Sequence, residues 1–137
     1  MSTKAKQRSI LFKFLSIFSV VRGYNVLLIV FAQYLTSVFI LSDKTYFEVL
    51  FDKSLFLIIC CSSLSIASGY IINNFYDEEK DLINKPVKYK IDDVVNKSTK
   101  LRFYFFLNFI VVLIASFISL RAVLFFSVYI FFLWFYS

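Results

Sequence analysis

Four runs of apolar residues, roughly Tyr24 to Leu41, Leu55 to Tyr76, Leu101 to Leu120 and Ala122 to the last residue, are separated by polar stretches along the 137 residues. Each run is long enough to cross a hydrocarbon core of about 30 Å, which takes about 20 helical residues. Lipid offers no partner to backbone N–H and C=O groups, so spans of this kind fold as helices. The pattern predicts an all-α, multi-spanning transmembrane helix bundle built as one domain over residues 1–137. Two glycines and the single Pro86 supply no linker, and no internal repeat or low-complexity tract divides the chain.

A weaker apolar stretch precedes the four. Ser9 to Val21 is apolar with Lys13 embedded, and is expected either to lie along the cytoplasmic interface or to extend the first helix. The basic residues Lys4, Lys6, Arg8, Lys13 and Arg22 have no acidic partner before Asp43. No small-residue cleavage site follows the basic start, so the segment is expected to be retained.

Composition strengthens the membrane reading: 60% of residues are hydrophobic, 21% are aromatic, and the mean hydropathy is +0.76, well above a soluble domain. Charge then sets an orientation. The N-terminal arm and the segment Lys80 to Arg102 hold twelve of the fifteen Lys and Arg residues. Basic loops stay in the cytoplasm, so the N-terminus, the "NNFYDEEKD" segment and the C-terminus are all expected there, in a bacterial inner (plasma) membrane. The net charge of +6 points to anionic membrane lipids as partners rather than nucleic acid, for which no stacking or base-reading motif exists. The absence of His from all 137 residues removes hydrolase triads and His-based metal sites from this chain.

One polar pattern carries chemistry. Asn73, Asp77 and Asp81 are spaced i, i+4, i+8, which on one helix places them on one face over about 12 Å. Carboxylates one turn apart at a membrane border repel each other and need compensation. Carboxylate and amide oxygens suit Mg²⁺, which keeps several waters and is shared with substrate phosphates. Lys80, Lys85, Lys88 and Lys90 then stand near enough in sequence to meet a diphosphate as point charges. Taken alone, "DEEKD" reads equally as the solvated cap of a helix end.

The whole phrase Asn73-Asn74-Phe75-Tyr76-Asp77-Glu78-Glu79-Lys80-Asp81, with the trailing "DLINKP", resembles the first aspartate-rich motif of the UbiA superfamily of intramembrane prenyltransferases, Asn-Asp-x-x-Asp-x-x-x-Asp. Asn74 stands where the family commonly has Asp, which removes one charge. "RGYN", Arg22 to Asn25, is similar to the Arg-Pro-x-Asn entry to the family's first helix, with Gly23 in place of Pro. The resemblance implies an enzyme that moves an isoprenyl group from a polyprenyl diphosphate to a lipid or aromatic acceptor. It implies Mg²⁺ held by Asn73, Asp77 and Asp81, with Asp77 and Asp81 catalytic, and a diphosphate met by Asn73, Lys85, Arg22 and Asn25. Walls such as Phe75, Tyr76, Phe103, Tyr104 and Phe105 are candidates for the isoprenoid tail, although most Phe residues are expected simply to pack. The phrasing is nearest to members that prenylate glycerol-phosphate ether lipids, a geranylgeranylglycerol-phosphate geranylgeranyltransferase-like activity, with quinone and haem precursors as neighbouring acceptors.

The family fold has nine transmembrane helices and a second motif, Asp-x-x-x-Asp, in its other half. No Asp or Glu follows Asp93 here, so the resemblance covers the N-terminal half, about four helices of nine. The end at "FFLWFYS" reads as a truncation, and these 137 residues alone are expected to be inactive while the full protein is the enzyme. The remaining features are read more plainly. Cys60 and Cys61 are adjacent and structural. "IDDVVN" is similar to the Asp-Asp-x-x-Asp of soluble isoprenoid synthases with Asn96 in the last place, and Asp92 and Asp93 are expected in a loop. Lys97, Lys100 and Arg102 are expected to anchor the third helix at the headgroups. Gln33, Asn108, Ser62, Ser63, Ser65 and Ser68 are expected to mark helix contacts. Two rivals complete the picture. A CDP-alcohol phosphotransferase needs glycines after Asp that this chain lacks, and a non-catalytic four-helix membrane subunit or scaffold needs only a wet acidic surface.

Overall fold

The computed structural model describes residues 3–137, with side chains described from residue 12, so Lys4, Lys6 and Arg8 lie outside the described side chains. Every regular element among the described residues is a helix: α1 (Thr3–Val20), α2 (Gly23–Phe39), α3 (Tyr46–Leu50), α4 (Lys53–Tyr76), α5 (Glu78–Asn84), α6 (Pro86–Asp92), α7 (Lys97–Ile118) and α8 (Leu120–Tyr136). Two of them, α4 and α7, are long and apolar enough to cross a membrane. The pair α1 and α2 makes a third span if its 58° bend is counted as one broken helix, and α8 is a shorter apolar helix. The four expected spans thus reduce to two or three of full length.

Helix α4 is the centre of the assembly. Its carboxylate cap Asp52 accepts the Leu55 amide at 2.8 Å, satisfying one of the donors that every helix start leaves free. Small residues then recur along the buried face, Cys61, Ser65, Ser68 and Gly69, which lets neighbouring backbones come close. The serines bond back to carbonyls of their own helix, Ser63 to Ile59 and Ser65 to Cys61, so no hydroxyl of that pair is left bare. Against this face pack α7 through Val111 and Ala115, and α8 through Phe126. Polar ties cross the helices as the sequence predicts: Gln33 Nε2 donates to Ser62 Oγ at 2.6 Å, and Ser68 Oγ to Asn108 Oδ1 at 2.7 Å. Large side chains such as Phe109, Phe117, Phe125 and Phe131 point outward, as lipid-facing positions require.

Helix α1 joins α2 through a 58° bend at Arg22, the one non-glycine residue with positive φ (48°) among those described, a geometry that fits either expected placement of the segment, along the interface or as an extension of the first span. Gly23 follows, where a Cβ would meet the Phe18 ring, so a larger residue at this corner requires that ring to swing away. Lys100, expected at the headgroups, is only 2% exposed and lines a small apolar cavity together with Ile17, Val20, Ile71 and Phe103. Asp92, expected in a loop, is the last residue of α6 and 3% exposed.

Candidate functional site

The polar end of the bundle is built by the corner at Arg22, the end of α4, and the short helices α5 and α6 folded back beneath them. Helix α4 stops at Tyr76 and Asp77 is its cap, so Asn73, Asp77 and Asp81 do not share one unbroken helix. The i→i−4 backbone bonds nevertheless continue, Asp77 N to Asn73 O and Asp81 N to Asp77 O, so the break is a bend rather than a loop. Asn73 Nδ2 donates to Asp77 Oδ2 at 3.0 Å, and this half of the expected site is assembled. Asp81 faces elsewhere. Lys88 Nζ stands 2.9 Å from its Oδ2 and Lys85 Nζ 3.5 Å from its Oδ1, while Lys80 pairs with Asp77 at 3.1 Å.

The residues expected to meet a diphosphate come together. Arg22, Asn25 and Lys85, with Lys88, border one open cleft of about 450 Å³. Arg22 also lines a second opening of about 470 Å³ between α2, α4 and α8, where Asn73 lies. Tyr70 joins the two: the Arg22 guanidinium sits 5.1 Å above its ring, and Asn25 Nδ2 reaches its hydroxyl at 3.5 Å. Strained backbone at Arg22 thus aims a cation to the border of both openings.

Asn74, the departure from the family pattern, is not a bystander. Its Nδ2 donates to the buried Asp92 Oδ2 at 2.8 Å, and Lys88 Nζ approaches the same oxygen at 3.2 Å. Lys88 therefore bridges Asp81 on α5 and Asp92 on α6 and holds the two short helices under α4. Asn74 Oδ1 and Asp92 Oδ1 are buried and meet no donor among the described residues. Lys97 adds a charge contact to Glu78 Oε2 at 3.3 Å, without the alignment of a hydrogen bond.

These pairs shift titrations in consistent directions. The Lys88 hydrogen bond, joined by the charges of Lys88 and Lys85, holds the Asp81 carboxyl below its ordinary range against the opposing effect of burial. Burial alone disfavours the Lys88 ammonium, yet the Asp81 hydrogen bond and the Asp92 charge raise its pKa above that of a free lysine. The depressed Asp81 stabilises the docked α5–α6 above the ordinary carboxylate range, and that contribution disappears as pH falls through the folded value. The raised Lys88 contributes below the ordinary lysine value and is lost as pH climbs through its own. Protection of the amides of residues 86–92, taken as exchange relative to an unstructured peptide at the same pH, is therefore expected to be greatest between about pH 5 and pH 10 and to fall on both sides. Protection in α6 that is flat down to pH 2.5 would remove the ion pairs as the holding force.

Asn73 and Asp77 offer oxygen donors of the kind Mg²⁺ takes, side by side, and Asp81 a third that two lysines now engage. Among the described residues no group of three acidic, Cys or His side chains stands close enough to hold a metal without help. The expected tail walls are dispersed: Tyr104 is packed with Val20 and Ile71, Phe75 lies against that cluster, and Phe105 faces outward. The second opening is walled instead by Ile29, Ile66, Gly69, Tyr70, Tyr129 and Leu133. Of these only the "GY" of the motif phrase carried a signal in the sequence. Compared with known protein families, curated proteins and solved structures, the chain matches none.

Proposed function

We propose that this chain carries the diphosphate-binding part of an intramembrane prenyltransferase of the UbiA kind. Such an enzyme transfers an isoprenyl group from a polyprenyl diphosphate to a lipid or aromatic acceptor at the cytoplasmic membrane face. The observation that supports it most is convergence. Four residues singled out by the motif phrases, far apart in sequence, line two openings that share Arg22: Arg22, Asn25 and Lys85 the first and Asn73 the second, with Asp77 hydrogen-bonded to Asn73 and Asp81 tied to Lys85.

In this reading Arg22, Lys85 and Lys88 bind the phosphate oxygens of the donor, Arg22 through its planar fork and the lysines as point charges. Asn73 and Asp77 would hold Mg²⁺, with Asp81 available as a third donor if Lys85 and Lys88 engaged the diphosphate instead, and the ion would supply positive charge to the leaving diphosphate. Tyr70 keeps Arg22 and Asn25 in place at the mouth. A glycerol-phosphate ether lipid is the acceptor that the phrase "GYIINN…DLINKP" favours. One observation favours the non-catalytic scaffold instead: Asp77 and Asp81 are already neutralised by lysines.

Calorimetry with the chain in nanodiscs separates the two. A non-hydrolysable isoprenyl diphosphate is expected to bind in the presence of Mg²⁺ and to lose at least tenfold in affinity when EDTA removes the metal. Absence of binding under both conditions rejects the enzyme reading and leaves the scaffold.

A further inference from the structure

Lys88 stands between the two kinds of group that this end of the bundle brings together. Its ammonium carries three N–H donors. Asp81 Oδ2 takes one at 2.9 Å, Asp92 Oδ2 lies 3.2 Å away, and the side chain lines the cleft of about 450 Å³ together with Arg22, Asn25 and Lys85. One nitrogen thus cancels the charge of a carboxylate that a metal needs and belongs to the wall of the space that an anion enters.

Among the described residues three lysines pair with the motif carboxylates, and they are not equal. Lys80 and Lys85 are 77% and 56% exposed, so water and salt screen their contacts with Asp77 and Asp81. Lys88 is 27% exposed, faces an Asp81 side chain that is largely buried, and makes the shortest of the three contacts. Its second partner is fixed in place. Asp92 ends α6, is buried, and accepts Asn74 Nδ2 at 2.8 Å, which ties it to α4. With that anchor behind it, Lys88 can exchange Asp81 for a phosphate oxygen in the cleft and keep its position. A cation that arrives first meets carboxylates already neutralised. An anion that arrives first takes up the lysine and returns charge to Asp81, and coupling of this kind between two ligands is reciprocal.

Building on the function proposed above, we propose that Lys88 makes the metal site conditional on the anion: it withholds Asp81 from a divalent cation until a phosphate group in the cleft takes the lysine over. Asp92 and Asn74 are the anchor on which Lys88 turns. Calorimetry on the full chain in phosphatidylcholine nanodiscs reads the two ligands apart, with Mg²⁺ alone and with inorganic diphosphate in EDTA. Lys88→Gln is expected to tighten Mg²⁺ and to weaken diphosphate, each by about tenfold, within the usual span of coupling between two sites. Lys97→Gln removes one charge from the same polar end, outside the cleft and paired with Glu78, and is expected to leave both ligands within about twofold. Should Lys88→Gln fail to fold because Asp92 is left without its cation, Lys88→Gln combined with Asp92→Asn removes the stranded charge and carries the same expectation.

Weakening of both ligands in Lys88→Gln makes the lysine a structural tie and overturns the proposal. A gain for Mg²⁺ with diphosphate unchanged, or a loss of diphosphate with Mg²⁺ unchanged, overturns it as well, since either result separates the two roles. Shifts of the same size in Lys97→Gln assign the effect to net charge and have the same consequence. If the unsubstituted chain binds diphosphate neither with Mg²⁺ nor without it, the functional reading falls and this inference with it. Diphosphate binding by the unsubstituted chain, with no change in Lys88→Gln, sinks the inference alone.

Discussion

Asp77→Asn is expected to lower prenyl transfer by at least about a hundredfold, the cost of removing one preorganised electrostatic group from a site where charge develops. The substitution keeps the shape of the side chain and its place at the end of α4, within reach of Asn73 and Lys80. What it removes is the negative charge that would hold the metal. Asp81→Asn is expected to cost as much by a different route, because it also releases Lys85 and Lys88 from their shared carboxylate. Both positions lie beyond the apolar spans, so insertion into the membrane should be untouched. Transfer is measured on the enzyme proposed above, with Lys80→Gln as the control, since Lys80 is exposed and its ion pair among the described residues is with Asp77. Unchanged turnover in both Asp variants removes the metal role assigned to them. A loss in Lys80→Gln equal to theirs would place the effect in surface charge instead.

The second large effect concerns the buried joint between Asn74 and Asp92. Asn74→Asp puts two carboxylates where an amide now donates to one at 2.8 Å, and each partner already has an oxygen without a donor. The expected cost is about 3–5 kcal/mol, the range for an uncompensated buried charge. Asp92→Asn leaves Lys88 with Asp81 alone and is expected to cost less, about 1–3 kcal/mol. Combining the two restores one amide and one carboxylate with the donor on the opposite side, so the pair should be far less damaging than the sum. Unfolding in detergent followed by tryptophan fluorescence measures all three. Additive losses would mean that the contact contributes nothing of its own.

That joint also marks where the sequence stops being legible. The positions of α4 and α7 were readable because long apolar runs leave the backbone no alternative to helix. The polar ties were readable too, since Gln33, Ser62, Ser68 and Asn108 inside spans need partners on neighbouring helices. The bend at Asp77 was not, because four-residue spacing looks the same whether a helix is straight or bent, and the backbone bonds across it persist. Asp92 looked like a loop residue because its partners, Asn74 and Lys88, meet it only after α6 folds back beneath α4. The opening beside Gly69 was equally hidden. Its walls come from three helices, and nothing local to Tyr129 or Leu133 marks them as facing α2 across a gap. The aromatic residues nearest the motif were the natural candidates for a tail, and packing claimed Tyr104 and Phe75 for the core instead.

Helix α4 packs most extensively on α7, and the chain between those two helices is the α5–α6 segment. For a polypeptide emerging from the ribosome this arrangement sets an order of maturation. Once α7 has entered the bilayer and found α4, the lysines and carboxylates of α5 and α6 are already confined to one small volume beside Arg22. The greasy opening has to wait, because one of its walls is α8, the last segment to be synthesised among those described. The polar cleft beside Arg22 is thus finished first, and the apolar opening closes next to it afterwards.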